Sequence, residues 1–203
     1  MELSIQQGDL AYAVGKAFAS VSAKSPMPLL SCLLIEADKG GLRITGSDLD
    51  VTTAVTVPCA VKAVGKIAVS ARHFNEVVRK IPRGLLQISI AGEQCEIRYG
   101  DGKGWSRFPI QDASEFPRIP ELKAENQAAL AGDALARLIT RSLYAASTDA
   151  TRPNLSGVFI QGGDKQVIFV ATDGHRLARA SRKGGFGGLG KDGMIVPTRA
   201  LAA

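Results

Sequence analysis

Apolar residues recur at helical spacing in two places that begin alike. Leu10, Val14, Ala17, Phe18 and Val21 follow Asp9, and Leu135, Leu138, Ile139, Leu143 and Ala146 follow Asp133. Each set marks the buried face of an amphipathic helix, with the aspartate as its expected N-cap. Strand patterns come next. Residues 29–37 form a nearly continuous apolar run, 42–45 a short extended piece, and Val51, Thr53, Val55 and Val57 alternate at period two. The second series offers strands at 155–161, 166–171 and 175–181. Phe74, Val77, Val78 and Ile81 predict a further helix, capped by Ser70 and stopped by Pro82, and its relative is expected to start at Pro197. Three more strands, 85–91, 95–99 and 104–110, close the first series and have no counterpart in the second.

The two series are one repeat. Leu30, Ser31 and Ile35 match Leu155, Ser156 and Ile160 at an offset of 125, and Ser47-Asp48 matches Thr172-Asp173 at the same offset. Gly8-Asp9 matches Gly132-Asp133 at 124, and the run from Gly65 to Arg72 resembles that from Gly193 to Arg199 at about 127. The order of the matches is conserved along the chain, which reads as a duplication with small loop changes. An α+β fold of repeated domains follows, one at 1–120 and a second, incomplete copy at 121–203. A proline- and charge-rich linker at 111–127 joins them.

Composition narrows the partners. The 203 residues are 45% hydrophobic, enough for a real core, and the net charge of +6 suits an anionic partner. No apolar run is long enough to span a membrane, and the acidic, short start at Met1-Glu2 predicts no secretory signal. Cys32, Cys59 and Cys95 are too few and scattered for a disulfide framework or a metal site, and read as small hydrophobes in a reducing cytoplasm. No metal or cofactor is expected.

The cations have a pattern of their own. Arg72, Arg79 and Arg83 recur at helical spacing, with Lys80 beside them and Glu76 interrupting; Arg137 and Arg141 lie one turn apart. Lys16 with Lys24 serves the first helix, and Arg199 the last. All are expected on faces opposite the apolar stripes, where they would meet phosphates without reading sequence. Solvated helix faces would look the same. No aromatic residue is expected among these cations, and no helix carries a base-reading set of amides and arginines.

The run from Val170 to Ala178, with Ala171-Thr172-Asp173-Gly174-His175-Arg176-Leu177 at its centre, resembles the signature segment of the bacterial DNA polymerase III β subunit, the sliding clamp. Pro28-Leu29-Leu30-Ser31, Thr45-Gly46-Ser47-Asp48-Leu49, Val69-Ser70-Ala71-Arg72, Arg107-Phe108, Glu115-Phe116-Pro117 and Ser147 to Arg152 agree with it. The resemblance implies repeated processivity-fold domains, each with two inner helices on outer antiparallel sheet. It implies a non-catalytic, cytoplasmic factor whose homodimeric ring encircles double-stranded DNA and slides. Its partners would be the DNA polymerase III catalytic subunit, the clamp loader and other proteins with a clamp-binding motif. The family's peptide-docking groove falls on Arg152, Leu155, Thr172, Gly174, His175, Arg176 and Leu177, with Leu155 and Leu177 as an apolar pocket and His175 and Arg176 as a polar rim. The resemblance also leaves the third domain, part of the groove and one ring interface outside this chain. Pro153 and Asn154 stand in a loop where some relatives present aromatic side chains to DNA.

Other chemistries fit less well. Thr172, Asp173 and His175 resemble pieces of a hydrolytic site, but successive strand residues point to opposite faces. His73 has no nucleophile beside it, and Ser47, Asp48 and Asp50 suit a turn better than a metal cage. The glycine-rich 184–190 leads into a strand instead of the helix a phosphate loop requires. A β-rich adaptor built from the same repeat would share the fold but lack cationic helix faces.

Overall fold

A computed structural model describes residues 1–22, 27–117, 128–149, 151–184, 189 and 192–202. The chain divides into two compact units, Met1–Ile119 and Pro120–Ala203.

The first unit runs β1 (Glu2–Gln6), α1 (Gln7–Phe18), β2 (Cys32–Asp38), β3 (Gly41–Ser47), β4 (Thr52–Val57), β5 (Ala60–Ala63) and β6 (Gly65–Ser70). It continues with α2 (Ala71–Val78), β7 (Leu85–Ala91), β8 (Gln94–Tyr99) and β9 (Gly104–Gln111). The strands are ordered β4-β3-β2-β6-β9-β8-β7-β1-β5, and β6 meets β9 through only two residue pairs, Ala68↔Gln111 and Val69↔Ile110. Both helices lie over this sheet and against each other. Leu10 and Val14 of α1 and Phe74 and Val78 of α2 share one core with Leu33, Ile35, Ile44, Val69, Leu86, Ile97 and Phe108. The buried Gln7 side-chain amide donates to the Val78 carbonyl at 2.9 Å, so the start of α1 satisfies the end of α2. A Cβ on Gly46 would stand 2.1 Å from the Ala17 carbonyl oxygen, so a glycine here is what lets α1 lie on β3.

The second unit contains α3 (Gly132–Ser142), β10 (Gly157–Gly162), β11 (Gln166–Thr172), β12 (Leu177–Lys183), β13 (Met194–Pro197) and the short α4 (Thr198–Ala202). Its sheet is ordered β12-β11-β10-β13, with α3 packed on β11 and β12 over Leu138, Val158, Val167, Phe169 and Ala178.

The repeat is visible in the strand register. Leu34↔Thr45, Ala37↔Leu42 and Ser47↔Thr52 in the first unit recur as Phe159↔Val170, Gly162↔Val167 and Thr172↔Leu177 in the second. Every partner is displaced by the offset of 125 read from the sequence. Cys32↔Ser70 likewise recurs as Gly157↔Pro197.

Several boundaries differ from the sequence reading. Asp9 and Asp133 do not cap their helices, because the helices begin earlier; Gln6 and Ala131 hold the N-cap positions and both aspartates sit in the first turn. There they still favour the positive end of the helix dipole. Val21, Leu143 and Ala146 lie beyond the helices whose stripes they extend. Leu155 belongs to a 3-10 turn before β10, and residues 175 and 176 to the turn before β12. Pro197 ends β13, and α4 starts one residue later. Gln111 is still in β9, so the linker begins later than expected, and residues 118–127 of it lie outside the described residues. Of the cysteines, Cys32 and Cys95 are buried and Cys59 is half-buried; burial pushes the Cys95 thiol up to about 12.

Candidate nucleic-acid and peptide-docking surfaces

The sheet decides which helix residues face solvent. On α1 these are Gly8, Asp9, Tyr12, Gly15 and Lys16. On α2 they are Arg72, His73 and Glu76, followed by Arg79 at the C-cap and Lys80 just after it. Arg83 is exposed beyond the helix end, so it does not continue the helical row. On α3, Arg137 and Arg141 are exposed, and Arg199 is exposed on α4. Lys24 lies outside the described residues.

These cations differ in how much of their charge is committed locally. Arg72 pairs with Glu76 at 3.2 Å, and Arg137 pairs with Asp133, both one turn apart on their own helices. Such exposed pairs contribute only a few tenths of a kcal/mol, roughly, and give way to a stronger anion at little cost. Arg79 and Arg141 form no ion pair among the described residues and sit at helix C-termini, where the dipole favours a positive charge. Tyr12 breaks the expectation of a surface without aromatics. It is 60% exposed, one turn before Lys16 on the same face.

The second surface is built around the turn between β11 and β12. The Asp173 carboxylate accepts the backbone N–H groups of His175 and Arg176, each at 2.9 Å, and the Arg176 Nε at 3.0 Å. Those bonds, the His175 N–H first, hold its carboxyl below the usual carboxylate range. The Thr172 hydroxyl donates to the Arg176 carbonyl at 2.7 Å and accepts the Gly174 N–H at 3.1 Å. Thr172 and Asp173 thus converge on one turn, contrary to the expectation of opposite faces, and both are spent in holding it. Among the described residues no hydrogen bond joins either group to the His175 imidazole, the pairing a hydrolytic site requires.

The same turn exists in the first unit. Asp48 accepts the N–H groups of Asp50 and Val51, and Ser47 accepts the N–H of Leu49. Leu49 has φ of 79° where Gly174 has 92°. Ser31 and Ser156 also make matching hydroxyl bonds to Pro28 and Pro153. A leucine in the left-handed region costs about 1–2 kcal/mol, and this one is 60% exposed, so little burial offsets it. Leu49→Gly is therefore expected to raise stability by about 0.5–1 kcal/mol, after the added unfolded-state entropy of glycine. A urea melt of the first unit with a lower midpoint would contradict the strain.

What differs between the two turns is the side chains they present. Positions occupied by Met27, Asp50 and Val51 in the first unit carry Arg152, His175 and Arg176 in the second. These three, with Ser147, Thr148, Asp149 and Asp173, line an open depression of about 310 Å³. Gly174 brings the backbone close to Arg152: a Cβ there would lie 3.9 Å from its guanidinium. Arg176 also donates to the Tyr144 carbonyl at 2.7 Å and lies 5.6 Å from the Tyr144 ring centre. Leu155 is half-buried and Leu177 is 65% exposed at the start of β12; neither lines the depression. The polar part of the expected groove is therefore gathered in one place, with the apolar part outside it. Tyr144, 61% exposed, was not anticipated; its only signal was an aromatic just past the α3 stripe.

Among the described residues, no group of three or more His, Cys, Asp or Glu side chains is placed to hold a metal. No helix among them is long and apolar enough to cross a membrane.

Residues 1–120 match the DNA polymerase III beta subunit N-terminal domain, and residues 129–203 match its central domain. The Beta sliding clamp of Caulobacter vibrioides is 30% identical over 100% of this chain, which covers 56% of that relative. That of Bacillus subtilis is 30% identical over 90% of the chain and 50% of the relative. The chain thus spans about half the length of these relatives. The crystal structure of the DNA polymerase sliding clamp from Bacillus subtilis matches with a TM-score of 0.90 at 28% identity, over 100% of this chain and 55% of that one. The sliding clamp structure from Caulobacter crescentus gives 0.89 at 29%, over 100% and 56%.

Proposed function

Because the chain belongs to the DNA polymerase III β-subunit family of sliding clamps, we propose that its two units are consecutive domains of a ring that encircles duplex DNA. The ring would be homodimeric, cytoplasmic and non-catalytic. It would tether the DNA polymerase III catalytic subunit, the clamp loader and other partners bearing a clamp-binding motif. The observation that carries the DNA reading is the distribution of cations. Arg72 on α2, Arg79 at its C-cap, and Arg137 and Arg141 on α3 are exposed, and neither helix exposes an amide side chain for base reading, since Asn75 of α2 is buried. Contact of that kind holds every sequence alike, which is what sliding requires. The test is topological. Full-length protein loaded on closed circular duplex is expected to stay bound and to leave when the circle is cut; equal retention on linear DNA would refute encirclement.

The partner-docking reading is supported by the duplicated turn. One backbone frame recurs, and only the second copy replaces neutral and acidic side chains with Arg152, His175 and Arg176. Exposed Leu177 and half-buried Leu155 supply the apolar component for a short peptide's anchors. Leu177→Ala in the full-length protein is expected to weaken a polymerase-derived clamp-binding peptide about tenfold, as loss of a partly buried leucine contact implies. Titration with unchanged affinity would remove Leu177 from the site.

A further inference from the structure

Tyr12 stands on the solvent face of α1 with Gly8 and Gly15 one turn to either side and Lys16 one turn on. A Cβ built on either glycine would meet nothing within 4 Å, so packing inside the unit does not require them. Gly15 also weakens the middle of a helix. The result is a low saddle of bare backbone from which one phenol projects. α2 packs alongside and adds Arg72, paired with Glu76, and Arg79 at its C-cap, so the two helices form one layer in which Lys16, Arg72 and Arg79 outnumber the exposed carboxylates Asp9 and Glu76. Such a layer is complementary to a polyanion with a smooth ridge. A sugar–phosphate backbone can lie in the saddle at van der Waals distance, where longer side chains would hold it off.

We propose that Tyr12 is an uncharged contact to the duplex backbone, its O–H donating to a phosphate oxygen and its ring resting on the adjoining deoxyribose. The proposal rests on the reading of the α1–α2 layer as the DNA-facing side. It gives that layer a holding contact that does not depend on counterion release, and so persists as salt rises.

The test is binding of full-length protein to a linear duplex across a series of salt concentrations, with each variant's thermal melt as a folding control. Tyr12→Phe is expected to weaken binding about threefold to tenfold, the net worth of one hydrogen bond. The slope of log affinity against log salt should not change, since no cation is lost. Lys16→Ala should instead lower the slope by about 0.9. Gly15→Leu keeps every charge and the phenol, and is expected to weaken binding comparably by filling the saddle. Parent-like binding by Tyr12→Phe overturns the contact, and so does a Tyr12→Phe loss accompanied by a lower slope. The Arg79→Glu, Arg141→Glu double variant separates the two ideas. If it binds weakly while Tyr12→Phe matches the parent, only the tyrosine contact is wrong. If it too matches the parent, the DNA-facing layer falls with it.

Discussion

Phe74→Ala is expected to cost the first unit about 3–5 kcal/mol, the range for emptying a fully buried aromatic site. Phe74 is 0% exposed and meets Phe108 edge to face, with ring centres 4.9 Å apart; Phe108 in turn meets His73 at 5.3 Å. Phe74 belongs to α2 and Phe108 to β9, so this contact holds the second helix onto the sheet. A domain of this size has about 5–15 kcal/mol of stability in all, so the loss removes roughly a fifth of it or more. Neighbours cannot close the space cheaply, because Leu10, Val14 and Val69 around the same core are themselves fully packed. A urea melt should show a sharply lower midpoint with an unchanged slope. A loss below about 1 kcal/mol would mean that the helix is held by something other than this core. Arg72 rides on the helix that Phe74 anchors and Arg79 caps it, so the variant couples stability to the cationic face.

Charge reversal has the larger expected effect on DNA. In Arg79→Glu with Arg141→Glu, each site loses one phosphate partner and gains a repulsive charge. Two lost contacts should lower the salt slope by about 1.8, and retention on circular duplex at moderate salt should fall by about one to two orders of magnitude. These two are better choices than Arg72 and Arg137, whose charge is already shared with Glu76 and Asp133. Both sites are exposed at helix C-termini, so the reversal also costs about 0.3–1 kcal/mol each through the dipole. That cost is too small to unfold either unit, and a melt at the same salt checks it. Retention equal to the parent would take the helix faces out of the DNA surface.

Much of this was legible in the residues because it depends on local periodicity. The stripes of α1, α2 and α3 placed their cations outward without any tertiary information, and the offset of 125 carried through to the strand register. What failed depended on contacts far along the chain. β1 has only Leu3 and Ile5 as its apolar pair, too short an alternation to recognise, yet both are 1% exposed. α1 begins at Gln7, ahead of Asp9, where the Gln7 amide can meet Val78, 71 residues away. β5, with one half-buried valine in four residues, has no pattern of its own and exists as a partner for β1. At the docking surface, residue types were readable but their grouping was not. The turn at Asp173 gathers Arg152, His175 and Arg176, while Leu177 is set apart as the first residue of β12.

The position of β1 near the end of the strand order has a consequence for synthesis. Leu3 and Ile5 are translated before both of their partners, β5 and β7, and β7 ends at Ala91. At roughly 5–20 residues per second, about 5–20 s pass before the first strand can be enclosed. During that interval the newest chain carries its own exposed apolar end. Leu3 and Ile5 therefore depend on being shielded while the stretch up to Ala91 is still being translated.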